Sequence, residues 1–261
     1  MNFPKILLFL EQNKSLGIPK NLYINFNIIV FMGFFDNMRK PQGKLGNIQL
    51  KSMNKEHTPV SLWGLKHLNI KSDDVILDVG CGGGINIKRM AQDAKKVYGI
   101  DYSIESVNLS KEVNEKLINE GKVEIMKGNV KDLPFEDNTF DIVTAFETVY
   151  FWPDIEKCFG EVKRVLKPGG IFLIGMETNG SDNWVMKFWK HFIDMEMYND
   201  GEIKNFLKKN SYNEIKVYLR DAKNKKEIIK SDDGEKRVDD DYDHISFSDR
   251  FVQWVTITAQ K

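Results

Sequence analysis

The sequence predicts an α/β fold, a doubly wound and mostly parallel sheet with helices on both faces. Three observations carry this. Five short apolar runs follow one another, Val75–Val79, Val97–Ile100, Val123–Met126, Ile142–Phe146 and Ile171–Met176. Between them lie helical stretches of about ten to fifteen residues, an ordinary helix length. The runs are mostly apolar rather than strictly alternating, as expected of strands covered on both faces. The first run also passes directly into a glycine loop, Gly80-Cys81-Gly82-Gly83-Gly84.

The chain has 261 residues, 41% hydrophobic and 29% charged, which suits one large domain with an added cap. Lys+Arg number 38 and Asp+Glu number 38, so no cationic excess points to nucleic acid or an anionic membrane as a partner. Two cysteines, Cys81 and Cys158, make neither a disulfide framework nor a zinc site. No metal site is expected, and the cysteine usage fits a reducing, cytoplasmic setting. No run of ~18 apolar residues is present, so no membrane span is expected.

Taken in order, residues 1–31 differ from the rest, with no Ala and two apolar patches around Ile6–Leu10 and Ile24–Phe35. They read as a leader or as a non-native extension ahead of a natural start at Met32, and they lack the layout of a secretory signal. Residues 32–70 are expected to form a helical cap, with Thr58 as N-cap and Pro59 at the first helical position. Residues 71–179 hold the five runs. Within them Ile155, Cys158, Phe159, Val162 and Val165 mark a helix, stopped by a turn at Lys167-Pro168-Gly169-Gly170. Residues 180–212 read as a helical lid, with an aromatic stripe through Trp184–Met195 and a second helix capped by Asp200. Residues 213–261 add strands at Ile215–Leu219 and Val252–Ala259. The stretch Arg220–His244 between them, dense in both charges, reads as a solvated face or a mobile loop.

A glycine loop between strand and helix lets the backbone approach a ligand beside the positive end of a helix. By itself it is weak evidence. Here Asp101 ends the next strand, 21 residues after Gly80, where a doubly wound fold places a carboxylate for ribose hydroxyls. A dinucleotide fingerprint would need glycine at position 85, which is Ile85.

The pattern that stands instead, Asp78-Val79-Gly80-Cys81-Gly82-Gly83-Gly84, resembles the glycine loop of the class I S-adenosylmethionine-dependent methyltransferases. Three more motifs extend the resemblance: Gly128-Asn129-Val130-Lys131-Asp132-Leu133-Pro134-Phe135, Phe140-Asp141-Ile142-Val143 and Leu166-Lys167-Pro168-Gly169-Gly170. Together they span residues 73–178, and the pattern is similar to the small-molecule members that include the quinone- and sterol-biosynthetic enzymes. The resemblance implies a seven-stranded Rossmann-like sheet. It also implies S-adenosylmethionine as methyl donor, S-adenosylhomocysteine as product and a small-molecule acceptor beneath a lid.

Residue by residue, the resemblance implies that Asp78 helps hold the amino acid end of the cofactor. Gly80, Cys81 and Gly82 supply backbone contacts, Asp101 binds the ribose, and Tyr102 flanks the adenine. Asn129 and Val130 belong to the loop over the adenine, with Asn129 in place of the usual acidic residue. Phe146 lines the methionine moiety, whereas Asp141 positions backbone. In-line transfer from a sulfonium depends mainly on alignment and water exclusion. A base helps where the acceptor is a hydroxyl or thiol. The candidates for one are His57, Glu147 and Tyr150, and Tyr150-Phe151-Trp152 either stacks on the acceptor or fills core. Three rivals remain: a nicotinamide-dependent oxidoreductase, a non-catalytic S-adenosylmethionine-binding protein, and a methyltransferase acting on a macromolecule.

Overall fold

The computed structural model describes residues 57–177, 196, 198–221, 225–242 and 253–261. The expected leader 1–31, the segment Met53–Glu56 and the aromatic stripe Trp184–Met195 lie outside them. The described elements are α1 (Thr58–Leu65), β1 (Val75–Val79), α2 (Ile85–Met90), β2 (Lys96–Asp101), α3 (Ile104–Val113), α4 (Glu115–Asn119) and β3 (Val123–Lys127). Then come β4 (Phe140–Phe146), a 3-10 turn (Val149–Phe151), α5 (Ile155–Val165), β5 (Leu166–Met176), α6 (Asp200–Lys209), β6 (Asn213–Asp221), β7 (Lys226–Ser231), β8 (Gly234–Asp239) and β9 (Val255–Gln260).

One sheet runs in the order β3-β2-β1-β4-β5-β9-β6-β7-β8. Its first five strands are mutually parallel, and β9, β6, β7 and β8 continue it by antiparallel pairing. All five apolar runs are strands. The sheet has nine strands rather than seven, and the hairpin β7–β8 supplies the other two. That hairpin occupies the stretch expected to be a charged face or loop. Every residue of β8 is exposed, so the solvated face is real, but its backbone is paired.

Two layers pack on the sheet. The five residues of α5 expected to face inward are all buried, against Phe172, Leu207 and Tyr212 among others. α6 lies on the same side, with Ile203 and Leu207 fully buried, so this part of the expected lid covers the sheet beside α5. Its cap is Asn199, which forms a reciprocal capping box with Glu202, and Asp200 is the first helical residue. The opposite layer, built on Ile87, Met90 and Val107, comes from α2 and α3. The expected turn after α5 lies within β5 as an irregularity: pairing jumps from Phe140↔Leu166 to Ile142↔Ile171. There Asp141 accepts from the Val75 N–H at 2.8 Å and from Lys167 Nζ, tying the starts of β1, β4 and β5 together.

α1 begins one residue earlier than expected, with His57 as N-cap and Thr58 as first helical residue. It buries Val60 and Trp63 against Trp254. Arg89 of α2 fastens it by donating to Thr58 Oγ1 and Ser61 Oγ, both at 3.0 Å. Among the described residues, no helix is long and apolar enough to cross a membrane.

Candidate functional site

The order 3-2-1-4-5 makes the gap between β1 and β4 the topological switch point, where a crevice opens beyond the carboxyl ends of parallel strands. Two groups of side chains meet there, one around the glycine loop and one after β4.

The loop turns sharply. Gly80 and Cys81 both donate to the Ile100 carbonyl, at 2.8 and 3.1 Å, which locks the end of β1 against the end of β2. Gly80 has φ +74, and a Cβ there would lie 2.3 Å from Thr148 Oγ1, so the chain after β4 crosses directly over it. Gly82 has φ +51 and open space where a Cβ would be, so the loop presents bare backbone on that side.

Two buried carboxylates flank this backbone, and Asp101 bonds to it directly. Asp101 Oδ2 accepts from the Gly82 N–H at 2.9 Å and Oδ1 accepts from the Ser103 N–H at 2.8 Å. Asp78 Oδ1 accepts from Thr144 Oγ1 at 2.7 Å. Burial pushes the Asp78 carboxyl up to about 7, opposed by the Thr144 hydrogen bond and aided by the nearby Asp101. Burial also raises Asp101, against the pull of its backbone donors. Tyr102, 39% exposed, stands beside them at the mouth.

The other expected cofactor residues divide. Val130 is buried in the main core. Asn129 is exposed, and its Oδ1 accepts from the Lys131 N–H at 3.0 Å, closing a local turn. Phe146 sits at the end of β4 with its ring wedged between Gly64 of α1 and Gly175 of β5. The Cys81 side chain is buried, with Sγ 3.9 Å from Ser110 Oγ, and burial pushes its thiol up, so it is no nucleophile.

The three base candidates, far apart in sequence, come together. Glu147 follows β4 with φ +54, and its N–H donates to the Gly175 carbonyl at 2.9 Å. Tyr150 donates its hydroxyl to Glu147 Oε2. His57 Nδ1 lies 3.9 Å from the same oxygen and 3.5 Å from Glu177 Oε1. Burial, reinforced by Glu177, pushes the Glu147 carboxyl up to about 7, while His57 and the Tyr150 hydroxyl pull it down. Burial and Glu147 raise the Tyr150 phenol. Of the aromatic trio, Trp152 is core, packed against Phe159 and Phe172. The sequence reading missed Glu177, although an acidic residue just past the apolar run Ile171–Met176 is placed to face the crevice.

A cavity of about 480 Å³ opens elsewhere, lined by Asp74, Asp141, Lys167, Gly169 and Gln260 among others. It lies at the starts of β1, β4 and β5, the end of the sheet opposite the glycine loop. Ligands of such sheets bind at the other end, so the switch-point crevice is the better candidate despite this volume.

Residues 77–174 match a family described as Methyltransferase domain. Over 106 residues the chain is 37% identical to a sterol 24-C-methyltransferase of Eremothecium gossypii, covering 40% of this chain and 28% of that protein. Over 109 residues it is 33% identical to a demethylmenaquinone methyltransferase of Oceanobacillus iheyensis, covering 41% and 45%. The chain thus spans under half the length of these curated relatives. Among solved structures, a phosphoethanolamine N-methyltransferase of Haemonchus contortus, in complex with phosphomonomethylethanolamine and S-adenosylhomocysteine, aligns with TM-score 0.67 at 18% identity. That alignment covers 87% of this chain and 60% of that one, and it shows a shared fold. The glycine loop, the Asp101 carboxylate and the parallel sheet order thus stand within a segment, residues 77–174, that is similar to the methyltransferase domain family, on a fold shared with solved methyltransferases.

Proposed function

We propose that this protein transfers a methyl group from S-adenosylmethionine to a small-molecule acceptor at the switch-point crevice, with S-adenosylhomocysteine as product. The observation that carries the reading is the pair of buried carboxylates, Asp78 and Asp101, around a glycine loop whose Gly82 faces open space. Both carboxyls are raised by burial and partnered by neutral donors, so a ligand bringing positive charge and hydroxyls meets what they lack. S-adenosylmethionine brings a sulfonium, an ammonium and two ribose hydroxyls.

In this reading Asp101 holds the ribose while fixing Gly82, and Gly80, Cys81 and Gly82 line the path of the amino acid end, which Asp78 attracts. Tyr102, Asn129 and Val130 border the adenine, and Phe146 shapes the floor by seating α1. His57, Glu147 and Tyr150, with Glu177, form the polar wall toward the acceptor. Residues 71–179 carry the cofactor and 213–261 complete the sheet. Buried, unpaired Cys81 and Cys158 fit a reducing, cytoplasmic setting. Transfer is one displacement: the acceptor lone pair forms a bond to the methyl carbon as the carbon–sulfur bond breaks and its electrons stay on sulfur.

The test is a thermal-shift titration with S-adenosylmethionine, S-adenosylhomocysteine and NAD in parallel. At about 100 times its Kd a ligand stabilises by ~2.7 kcal/mol, a shift of several degrees for a protein this size. The expected result is a shift with both adenosyl ligands and none with NAD. A shift with NAD alone, or none at all, refutes the reading.

A further inference from the structure

His57, Glu147 and Glu177 bring three potential ligand atoms within 4.8 Å of one another, one imidazole nitrogen and two carboxylate oxygens. They come from three elements, the cap of α1 and the ends of β4 and β5, so no sequence spacing announces them. We propose that this trio binds one first-row divalent metal ion at the acceptor end of the crevice. The inference rests on the methyl-transfer reading for its purpose but not for its chemistry.

The geometry fits. Metal–nitrogen and metal–oxygen bonds of about 2.0–2.2 Å place neighbouring ligand atoms roughly 3–3.5 Å apart around one ion. The observed separations are 3.5 Å from His57 Nδ1 to Glu177 Oε1 and 3.9 Å from Nδ1 to Glu147 Oε2, a set that a small inward shift closes. A second observation points to a ligand. The Glu147 side chain is only 10% exposed, and its Oε1 has no hydrogen-bond partner among the described residues. A buried carboxylate oxygen left without a donor is costly, and an ion held by both Glu147 oxygens, Oε2 on the His57 side and the donor-less Oε1, would satisfy it. Tyr150 donates to the companion oxygen and fixes the carboxylate plane, as hydrogen-bonded neighbours of metal ligands do.

Mixed nitrogen and carboxylate donors suit Mn2+, Fe2+ or Zn2+ better than Ca2+ or a thiolate-seeking metal. Three ligands grouped on one side, with His57 at 31% and Glu177 at 23% exposure, leave coordination positions turned toward solvent. An acceptor carrying a hydroxyl, carboxylate or phosphate would take one of them. The ion then serves as the template that aims this oxygen, or a neighbouring atom, at the methyl group.

The test uses the full chain, stripped with EDTA and dialysed. It is titrated with Mn2+ by electron paramagnetic resonance and with Zn2+ by calorimetry, while S-adenosylmethionine affinity is measured separately. The expected result is one ion per chain, weakened at least about tenfold in His57→Ala and in Glu177→Gln, with S-adenosylmethionine affinity of both variants close to the parent. The inference is overturned if neither metal binds saturably, or if both variants bind as the parent does. Cofactor binding without metal sinks this inference alone, and metal binding without cofactor sinks the methyl-transfer reading alone.

Discussion

Asp78 places a proton-dependent cost at the centre of the fold. Its folded-state value of about 7 lies above the ordinary 3.8, so folding takes up a proton between those values. The contribution to stability is therefore complete below about pH 4, declines as pH rises, and is gone above about 7, an effect on the order of 2–4 kcal/mol. Melting temperatures of the ligand-free protein should fall between pH 5 and 8, roughly the upper part of that window. Asp78→Asn, which carries no charge, should make the profile shallower, the remaining slope coming from Glu147, whose buried carboxyl is likewise raised to about 7, and should weaken S-adenosylmethionine binding. A profile as steep in the variant as in the parent would locate the proton elsewhere. Asp101 makes a complementary case. Asp101→Ala leaves the Gly82 N–H without its acceptor and, under the proposed ribose-binding role, would remove a charged partner for two hydroxyls, a loss of about 1.5–3 kcal/mol or more. Calorimetry should show cofactor affinity reduced at least about tenfold, with Asp101→Asn in between because one oxygen acceptor remains. Unchanged affinity in the alanine variant contradicts its assigned role.

Among the elements, the hairpin β7–β8 shows why part of this fold was hidden in the sequence. The inner parallel strands were legible because burial on both faces leaves a mostly apolar run, whereas the edge strand β3 alternates with Glu124 exposed, and α5 was legible because its five inward residues recur at helical spacing. The hairpin has neither mark. β8 is exposed at every position, and the side-chain bridge recorded across the hairpin is an ion pair, Lys226–Asp239 at 2.6 Å. What anchors this edge is a buried pair: Arg220 Nε donates to Asp240 Oδ2 at 2.7 Å, with the two side chains 2% and 3% exposed. The guanidinium also lies 4.1 Å from the Trp254 ring centre, and Trp254 carries α1 through Trp63. In the sequence Arg220 and Asp240 were two charges in a charge-dense stretch, with nothing to single them out. Arg220→Ala leaves Asp240 buried without its cation and should cost about 3–5 kcal/mol in urea denaturation. The double replacement Arg220→Met/Asp240→Leu should recover most of that. Equal losses in the single and double variants would mean that packing, not the pair, holds the edge.

At the scale of the whole molecule, cofactor loop and acidic cluster are two ends of one junction. The glycine loop and Asp101 were readable because fold and motif fix them locally, one strand apart. The meeting of His57, Glu147, Tyr150 and Glu177 was not, since it depends on α1 crossing the ends of β4 and β5, a tertiary arrangement that no spacing encodes. Where the halves touch, Thr148 lies over Gly80 and accepts from Trp152 Nε1 at 3.2 Å, linking the loop to the core. Gly80→Ala meets two penalties there. A left-handed φ costs roughly 1–2 kcal/mol for an L-residue, and the new Cβ would stand 2.3 Å from Thr148 Oγ1 and 2.8 Å from its Cβ. The variant should melt lower and bind S-adenosylmethionine more weakly. Thr148→Gly in the same chain removes both clashing atoms but not the φ strain, so the pair should depart from additivity by about 0.5–3 kcal/mol in the stabilising direction. Strict additivity in that double-mutant cycle would mean the loop yields on its own, and the two halves of the crevice would then be independent of each other at this contact.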